Sequence, residues 1–165
     1  MTAFTIHPLI ASDRDWVCAL VTARWGAPTI VVHGVVYDPA MLPGFYALCQ
    51  GERAGLVTCH LMGDACEIVT LDSLHEGIGI GTALLVAVRE MAMAAGCRRL
   101  WLITTNDNLP ALRFYQKRGF RLAALHPGAV DVARQIKPQI PLIGLDGIPI
   151  HDEIVLEMAL SEPAM

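Results

Sequence analysis

The sequence predicts a mixed α/β fold, and a few observations carry that prediction. Residues 29–72 alternate β-branched and apolar runs with short Gly- or Asp-containing turns, the texture of an antiparallel meander. After residue 76 a glycine-rich turn gives way to a run rich in Ala, Leu, Val and Met. Strand, helix, strand, helix and strand then alternate to about residue 125, as in an α/β unit. With 165 residues, 54% of them hydrophobic, the chain can form the core of one domain, and no linker, repeat or low-complexity stretch divides residues 1–165.

A short strand is expected at Phe4–Pro8. Ser12 reads as a helix cap, with Asp13 and Asp15 in the first turn, where carboxylates favour the helix dipole. Trp16, Leu20 and Ala23 follow at helical spacing, and Gly26 can end that helix. Strands are expected next over residues 29–37, 44–50, 54–62 and 65–72. Only residues 51–53 and 63–64 separate the last of these, which should therefore be antiparallel neighbours. Residues 79–95 read as a helix ending at Gly96, with Ile80, Leu84, Ala87, Met91 and Ala95 on one apolar face. Its other side is also largely apolar, which predicts a well-covered helix packed on a sheet. Residues 99–105 form a buried strand, 109–118 a second helix closed by Gly119, and 120–125 a returning strand. A short helix over 129–136, a proline-interrupted stretch around 140–150 and a strand over 151–160 follow. Trp25, Trp101 and Phe45 read as core rather than as a binding platform.

Composition excludes several functions. Twelve Lys+Arg against 16 Asp+Glu give a net charge of -4, which argues against a general nucleic-acid binder. No apolar run reaches the ~18 residues that mark a membrane helix, and the opening residues lack the pattern of a signal peptide. A cytoplasmic protein is expected. The five cysteines are odd in number and form no C-x-x-C pair, so buried free thiols are expected. The six histidines form no metal-ligand spacing, and no metal is expected.

The most informative segment is Glu76-Gly77-Ile78-Gly79-Ile80-Gly81-Thr82, between a strand and a helix. Glycines permit a tight turn and bring backbone N–H groups close to a ligand, and a helix N-terminus adds free donors and a positive dipole end. No Lys follows the last glycine, so the segment is not a Walker A loop. Thr82 stands where G-x-G-x-x-G needs its third glycine. On its own the segment fits either a phosphate loop or a ligand-free turn.

With the following Ala83-Leu84-Leu85, the segment resembles the acetyl-CoA pyrophosphate loop of the GNAT superfamily of N-acetyltransferases, Gln/Arg-x-x-Gly-x-Gly/Ala, matched at Glu76, Gly79 and Gly81. Glu76 departs from the pattern, and its charge should point away from pyrophosphate. Asn108 through Phe120 is similar to the family's Asn-x-x-Ala-x-x-x-Tyr-x-x-x-Gly-Phe, with Ala111 and Tyr115 in place. The resemblance spans roughly residues 44–125 and implies a GNAT-like, mainly antiparallel central sheet flanked by helices. It further implies acetyl-CoA as cosubstrate, bound at Leu71, Asp72, Ser73, Gly77, Ile78, Gly79, Ile80, Gly81, Thr82, Asn108, Ala111 and Tyr115. Tyr115 would then be the acid that protonates the departing thiolate, because a phenol with a pKa of ~10 holds its proton at neutral pH. Asn108 is also a good helix cap, with Asn106 and Asp107 as rivals.

Acetyl transfer to an amine needs a neutral nucleophile, and a carboxylate can take the ammonium proton. Glu67, in Cys66-Glu67-Ile68-Val69, is the candidate base, and some GNAT enzymes carry a Glu in such a setting. Asp152 and Glu153 are alternatives, as bases or as anchors for a substrate ammonium. His33, His60, His75, His126 and His151 are scattered and stay outside the expected site. The expected reaction is direct attack by a primary amine, since no cysteine lies in the glycine loop or the Tyr115 helix. The rivals are a non-catalytic CoA-binding sensor of the same fold and a nucleotide-binding α/β protein. The amine is not specified; the resemblance allows a homodimer.

Overall fold

The computed structural model describes residues 2–160. A seven-stranded sheet runs in the order β1-β4-β5-β6-β7-β9-β8. Its strands are β1 (Phe4–Pro8), β4 (Gly44–Cys49), β5 (Glu52–Met62), β6 (Ala65–Ser73), β7 (Arg99–Thr105), β8 (Arg121–His126) and β9 (Glu153–Ala159). A separate hairpin comprises β2 (Ile30–Val32) and β3 (Val35–Tyr37). The helices are α1 (Arg14–Trp25), α2 (Ile80–Ala94), α3 (Leu109–Lys117) and α4 (Ala129–Ile136). Short turns join β4 to β5 and β5 to β6, and both pairs are antiparallel, as expected from the sequence. Among neighbours in the sheet, only β6 and β7 are parallel, because the crossover helix α2 lies between them in the chain.

Helix α2 buries Ile80, Leu84, Leu85, Val88 and Ala92, while Ala95 is exposed. The buried stripe is therefore turned slightly from the expected one. A glycine sets the fit: a Cβ on Gly55 would meet Ile80 Cγ2 at 2.7 Å and Leu84 Cδ1 at 3.1 Å, so the bare backbone of β5 lets α2 settle onto it. Each such large side chain taken fully out of water contributes about 1.5–3 kcal/mol. On the other face, Val17 and Val21 of α1 pack with Ile30, Tyr37 and Leu56. Cys49, Cys59, Cys66 and Cys97 are buried free thiols and Cys18 is half-buried.

Several expectations need correction. Ser12 is not the cap; it lies inside a 3-10 turn, Ala11–Asp13. Asp13 reaches back to the Ile10 N–H at 2.8 Å and pairs with Arg53, which a buried carboxylate requires. Ala23 is exposed, and so is Trp25, which does not join the core. The expected strand over 29–37 is two short strands, because His33 (φ 40°) and Gly34 (φ 77°) turn left-handed and fold it into a hairpin.

Candidate functional site

The site begins where the sheet forks. β6 pairs with β7 only from Ala65↔Arg99 to Ile68↔Leu102, although β6 continues to Ser73 and β7 to Thr105. Beyond Ile68, β6 keeps β5 as its partner on one edge and has no strand on the other. An edge of unpaired N–H and C=O groups can take an extended ligand as an added strand. Leu71, Asp72 and Ser73 lie on this parted stretch.

The chain then enters the glycine loop. Gly77 (φ 80°) and Gly79 (φ 91°) are left-handed, and Gly79 is the N-cap of α2. No side chain caps α2 and no acidic residue stands in its first turn, so its leading N–H groups and positive dipole end remain available for an anion. Gly81 abuts α3: an added Cβ would touch the Phe114 ring at 3.4 Å. Glu76 and His75 are exposed.

Asn108 caps α3, its side-chain oxygen accepting the Ala111 N–H at 3.2 Å. The rival caps are engaged elsewhere. Asn106 accepts from His151 and Asp152 N–H, both at 3.0 Å, and Asp107 accepts the Leu145 N–H at 3.0 Å. This cap starts the helix that carries Tyr115, whose ring is 5.1 Å from Phe114 and 5.3 Å from Phe120. Tyr115 is 7% exposed, and burial, with Asp72 adding its charge, pushes the phenol above its usual pKa. Asp72 is 6% exposed, and its Oδ2 has no hydrogen-bond partner. Burial raises its pKa, against the lowering pull of Arg24 and the Trp25 indole.

A raised pKa means that folded Asp72 binds its proton more tightly than the unfolded chain does. Stability therefore falls as pH rises through the ordinary carboxylate value of 3.8 toward the folded one. Asp72→Asn removes that loss. Its melting temperature should exceed the wild-type value at pH 7, and the gain should fade as the pH falls toward 3.8. A gain of the same size across that range would mean that Asp72 is not the titrating group.

Further back along β6, in its half paired with β7, lies Glu67, 2% exposed. Its carboxylate accepts the Tyr37 hydroxyl at 2.6 Å and contacts His33 Nε2 at 3.1 Å. Burial, then the hydrogen bond to Glu67 and its charge, raise the Tyr37 pKa, so the phenol stays a donor. The His33 backbone N–H is shared by the two oxygens of Glu153, at 3.1 and 3.2 Å, and Glu153 is also 2% exposed. One residue at the tip of the β2–β3 hairpin thus bridges two buried carboxylates. Its ring lies 5.4 Å from that of Trp101. Asp152, by contrast, accepts the Gly128 N–H at 2.9 Å at the start of α4. Sequence reasoning left His33 and Tyr37 outside the site. The His33-Gly34 dipeptide was the available signal, since a residue followed by glycine amid apolar runs marks a hairpin turn.

Among the described residues no group of His, Cys, Asp and Glu is arranged to hold a metal ion, and no helix is long and apolar enough to cross a membrane.

A mainly antiparallel sheet forked at its parallel pair, with a glycine loop opening the crossover helix, is an acetyltransferase architecture. The chain belongs to the GNAT family of acetyltransferases, whose family pattern, Acetyltransferase (GNAT) family, matches residues 18–120. It is 46% identical over 138 residues to the uncharacterized protein YdhI of Bacillus subtilis (strain 168), covering 83% of this chain and 86% of that protein. The fold resembles that of IAA acetyltransferase from Bacillus cereus ATCC 14579, with a TM-score of 0.75, 22% identity and coverage of 96% of this chain and 100% of that one. A GNAT family acetyltransferase from Elizabethkingia anophelis with acetyl-CoA bound shares the fold at a TM-score of 0.71 and 21% identity, over 95% of this chain and 98% of that one.

Proposed function

We propose that this protein transfers the acetyl group of acetyl-CoA to the nitrogen of a primary amine by direct attack. The observation that carries this reading is the fork between β6 and β7, which has Glu67 on the paired rungs and the glycine loop following the parted end of β6. The likeness to a fold that holds acetyl-CoA supports the choice of donor. In this reading the pyrophosphate rests on the backbone of Gly77, Ile78, Gly79, Ile80, Gly81 and Thr82. The pantetheine arm lies along Leu71, Asp72 and Ser73, beside Asn108 and Ala111 of α3.

Glu67 takes a proton from the acceptor ammonium, with Tyr37 and His33 holding the carboxylate in position. The freed nitrogen lone pair attacks the thioester carbon, a backbone N–H of the parted strand stabilises the oxyanion, and the C–S bond breaks. Tyr115 gives its proton to the departing sulfur. Glu153 is the alternative base, since it shares His33 with Glu67.

Isothermal titration of loop variants tests donor binding. Valine at Gly79 meets a left-handed backbone, which strains an L-residue by about 1–2 kcal/mol, and valine at Gly81 presses on Phe114. Gly79→Val and Gly81→Val should each weaken acetyl-CoA binding by about tenfold or more. Glu76→Gln should leave the affinity near wild type. Unchanged affinity in both valine variants would move the pyrophosphate site elsewhere.

A further inference from the structure

Acetyl transfer from a thioester to an ammonium group releases a proton to water in every turnover. With Glu67 as base, that proton starts on the Glu67 carboxyl, which must lose it before the next amine can react. Glu67 is 2% exposed, so it cannot hand the proton to bulk water directly. Among the described residues its carboxylate has two hydrogen-bond partners, Tyr37 and His33. Tyr37 is no exit. Its hydroxyl already donates to Glu67 at 2.6 Å, and burial, with the hydrogen bond and charge of Glu67, holds that proton on the phenol. His33 differs on both counts. Its Nε2 lies 3.1 Å from Glu67 Oε1, and its side chain is 30% exposed. Imidazole is the side chain that takes up and releases protons between about pH 5 and 8.

The other groups around His33 offer no second path. Glu153 accepts the His33 backbone N–H with both oxygens and is itself buried. The Trp101 ring, 5.4 Å from that of His33, carries no titratable proton. The backbone points the same way. His33 has a φ of 40° at the first position of the two-residue turn between the paired Val32 and Val35. Turns of this kind favour Asn or Gly there, and left-handed residues other than Gly gather at functional sites. Turn geometry alone does not call for an imidazole, whereas a protonated Glu67 gives one a task.

We infer that His33 is the proton exit of Glu67, a relay at the hairpin tip between the buried base and water. The inference rests on the acetyl-transfer reading above, with Glu67 as base. In the receiving tautomer the hydrogen is on Nδ1 and the lone pair on Nε2. The Glu67 O–H bond breaks as an N–H bond forms at Nε2, which restores the carboxylate and leaves an imidazolium. The imidazolium gives its Nδ1 proton to water. Exchange with water then returns the remaining hydrogen from Nε2 to Nδ1. The balance over a turnover is one proton moved from the ammonium to solvent. His33 acts through Glu67, and so sets how fast the base is restored rather than how fast the acetyl group moves.

The test follows CoA thiol release by rapid quench in the wild type, His33→Gln and His33→Asn, at fixed pH and ionic strength. Acetyl-CoA is the donor, and spermidine, glucosamine and lysine are the acceptors. Gln keeps a donor within reach of the Glu67 carboxylate, and Asn suits the left-handed turn before Gly34. Neither can pass a proton onward. In dilute buffer the steady-state rate of both variants should fall about tenfold, less than the hundredfold or more that loss of a general base costs. The first turnover should outrun the later ones, giving a burst of CoA thiol that the wild type lacks, because only a restored base can serve again. Added imidazole should carry the proton instead and return the variants toward the wild-type rate, while leaving the wild type unchanged. A purely structural role predicts equally slow turnovers, with no burst and no rescue. That outcome, or variants with the wild-type steady-state rate in dilute buffer, would overturn the relay and leave the acetyl-transfer reading standing. A wild type that releases no thiol with any of the three amines would overturn that reading and the relay with it.

Discussion

Replacing Glu67 by Gln lowers the rate of acetyl transfer about a hundred- to ten-thousand-fold near neutral pH, the range open to loss of one general base. An alkyl ammonium with a pKa of about 10.4 is neutral in only about one molecule in 2,500 at pH 7, so the reaction depends on a group that removes its proton. Gln keeps the shape of Glu and an oxygen for the Tyr37 hydroxyl, so the packing around this 2% exposed side chain survives. The deficit should narrow as pH rises, because solution then supplies the neutral amine. Rates measured between about pH 6.5 and 9.5 give the check, since the free-amine fraction grows almost a thousandfold over that span. A variant whose pH–rate profile matches the wild type would transfer the role to Glu153, since Asp152 is occupied by the Gly128 N–H.

Tyr115→Phe should slow acetyl transfer by about ten- to ten-thousand-fold while leaving acetyl-CoA affinity nearly unchanged. The ring sits in the core between Phe114 and Phe120, and phenylalanine preserves both edge contacts. Its hydroxyl forms no hydrogen bond with the described residues, so little packing or polar pairing is lost with it. The raised phenol pKa has a sign that matters. The proton stays on Tyr115 above the ordinary value of 10.0, so the acid is not lost to ionisation anywhere in the neutral range. Wild-type activity should therefore show no alkaline limb from Tyr115 below about pH 10. A Phe variant with the wild-type single-turnover rate would leave Tyr115 as a packing residue.

Local chemistry determined much of this protein. Strand alternation, the apolar run of α2, and the glycines at 26, 96 and 119 marked elements that the structure contains within a residue or two, because period and turn chemistry act over a few neighbours. The spacing from Asn108 to Tyr115 was equally legible: the same helix that Asn108 caps carries Tyr115 two turns later. Local signals failed where long-range pairing intervened. Residues 29–37 have the composition of one strand, but His33 and Gly34 turn left-handed and fold it into a hairpin whose tip meets distant carboxylates. His33 meets Glu67 34 positions away and Glu153 120 positions away, separations at which no periodicity operates. The fork is likewise a matter of where pairing stops: nothing in Val69–Ser73 differs in kind from the paired half of β6. The sequence by itself thus determined the elements, their order and the two motifs, since each is written in adjacent residues. The tertiary structure decided which carboxylates share a histidine and where the sheet opens, because those depend on register and packing between segments far apart in the chain.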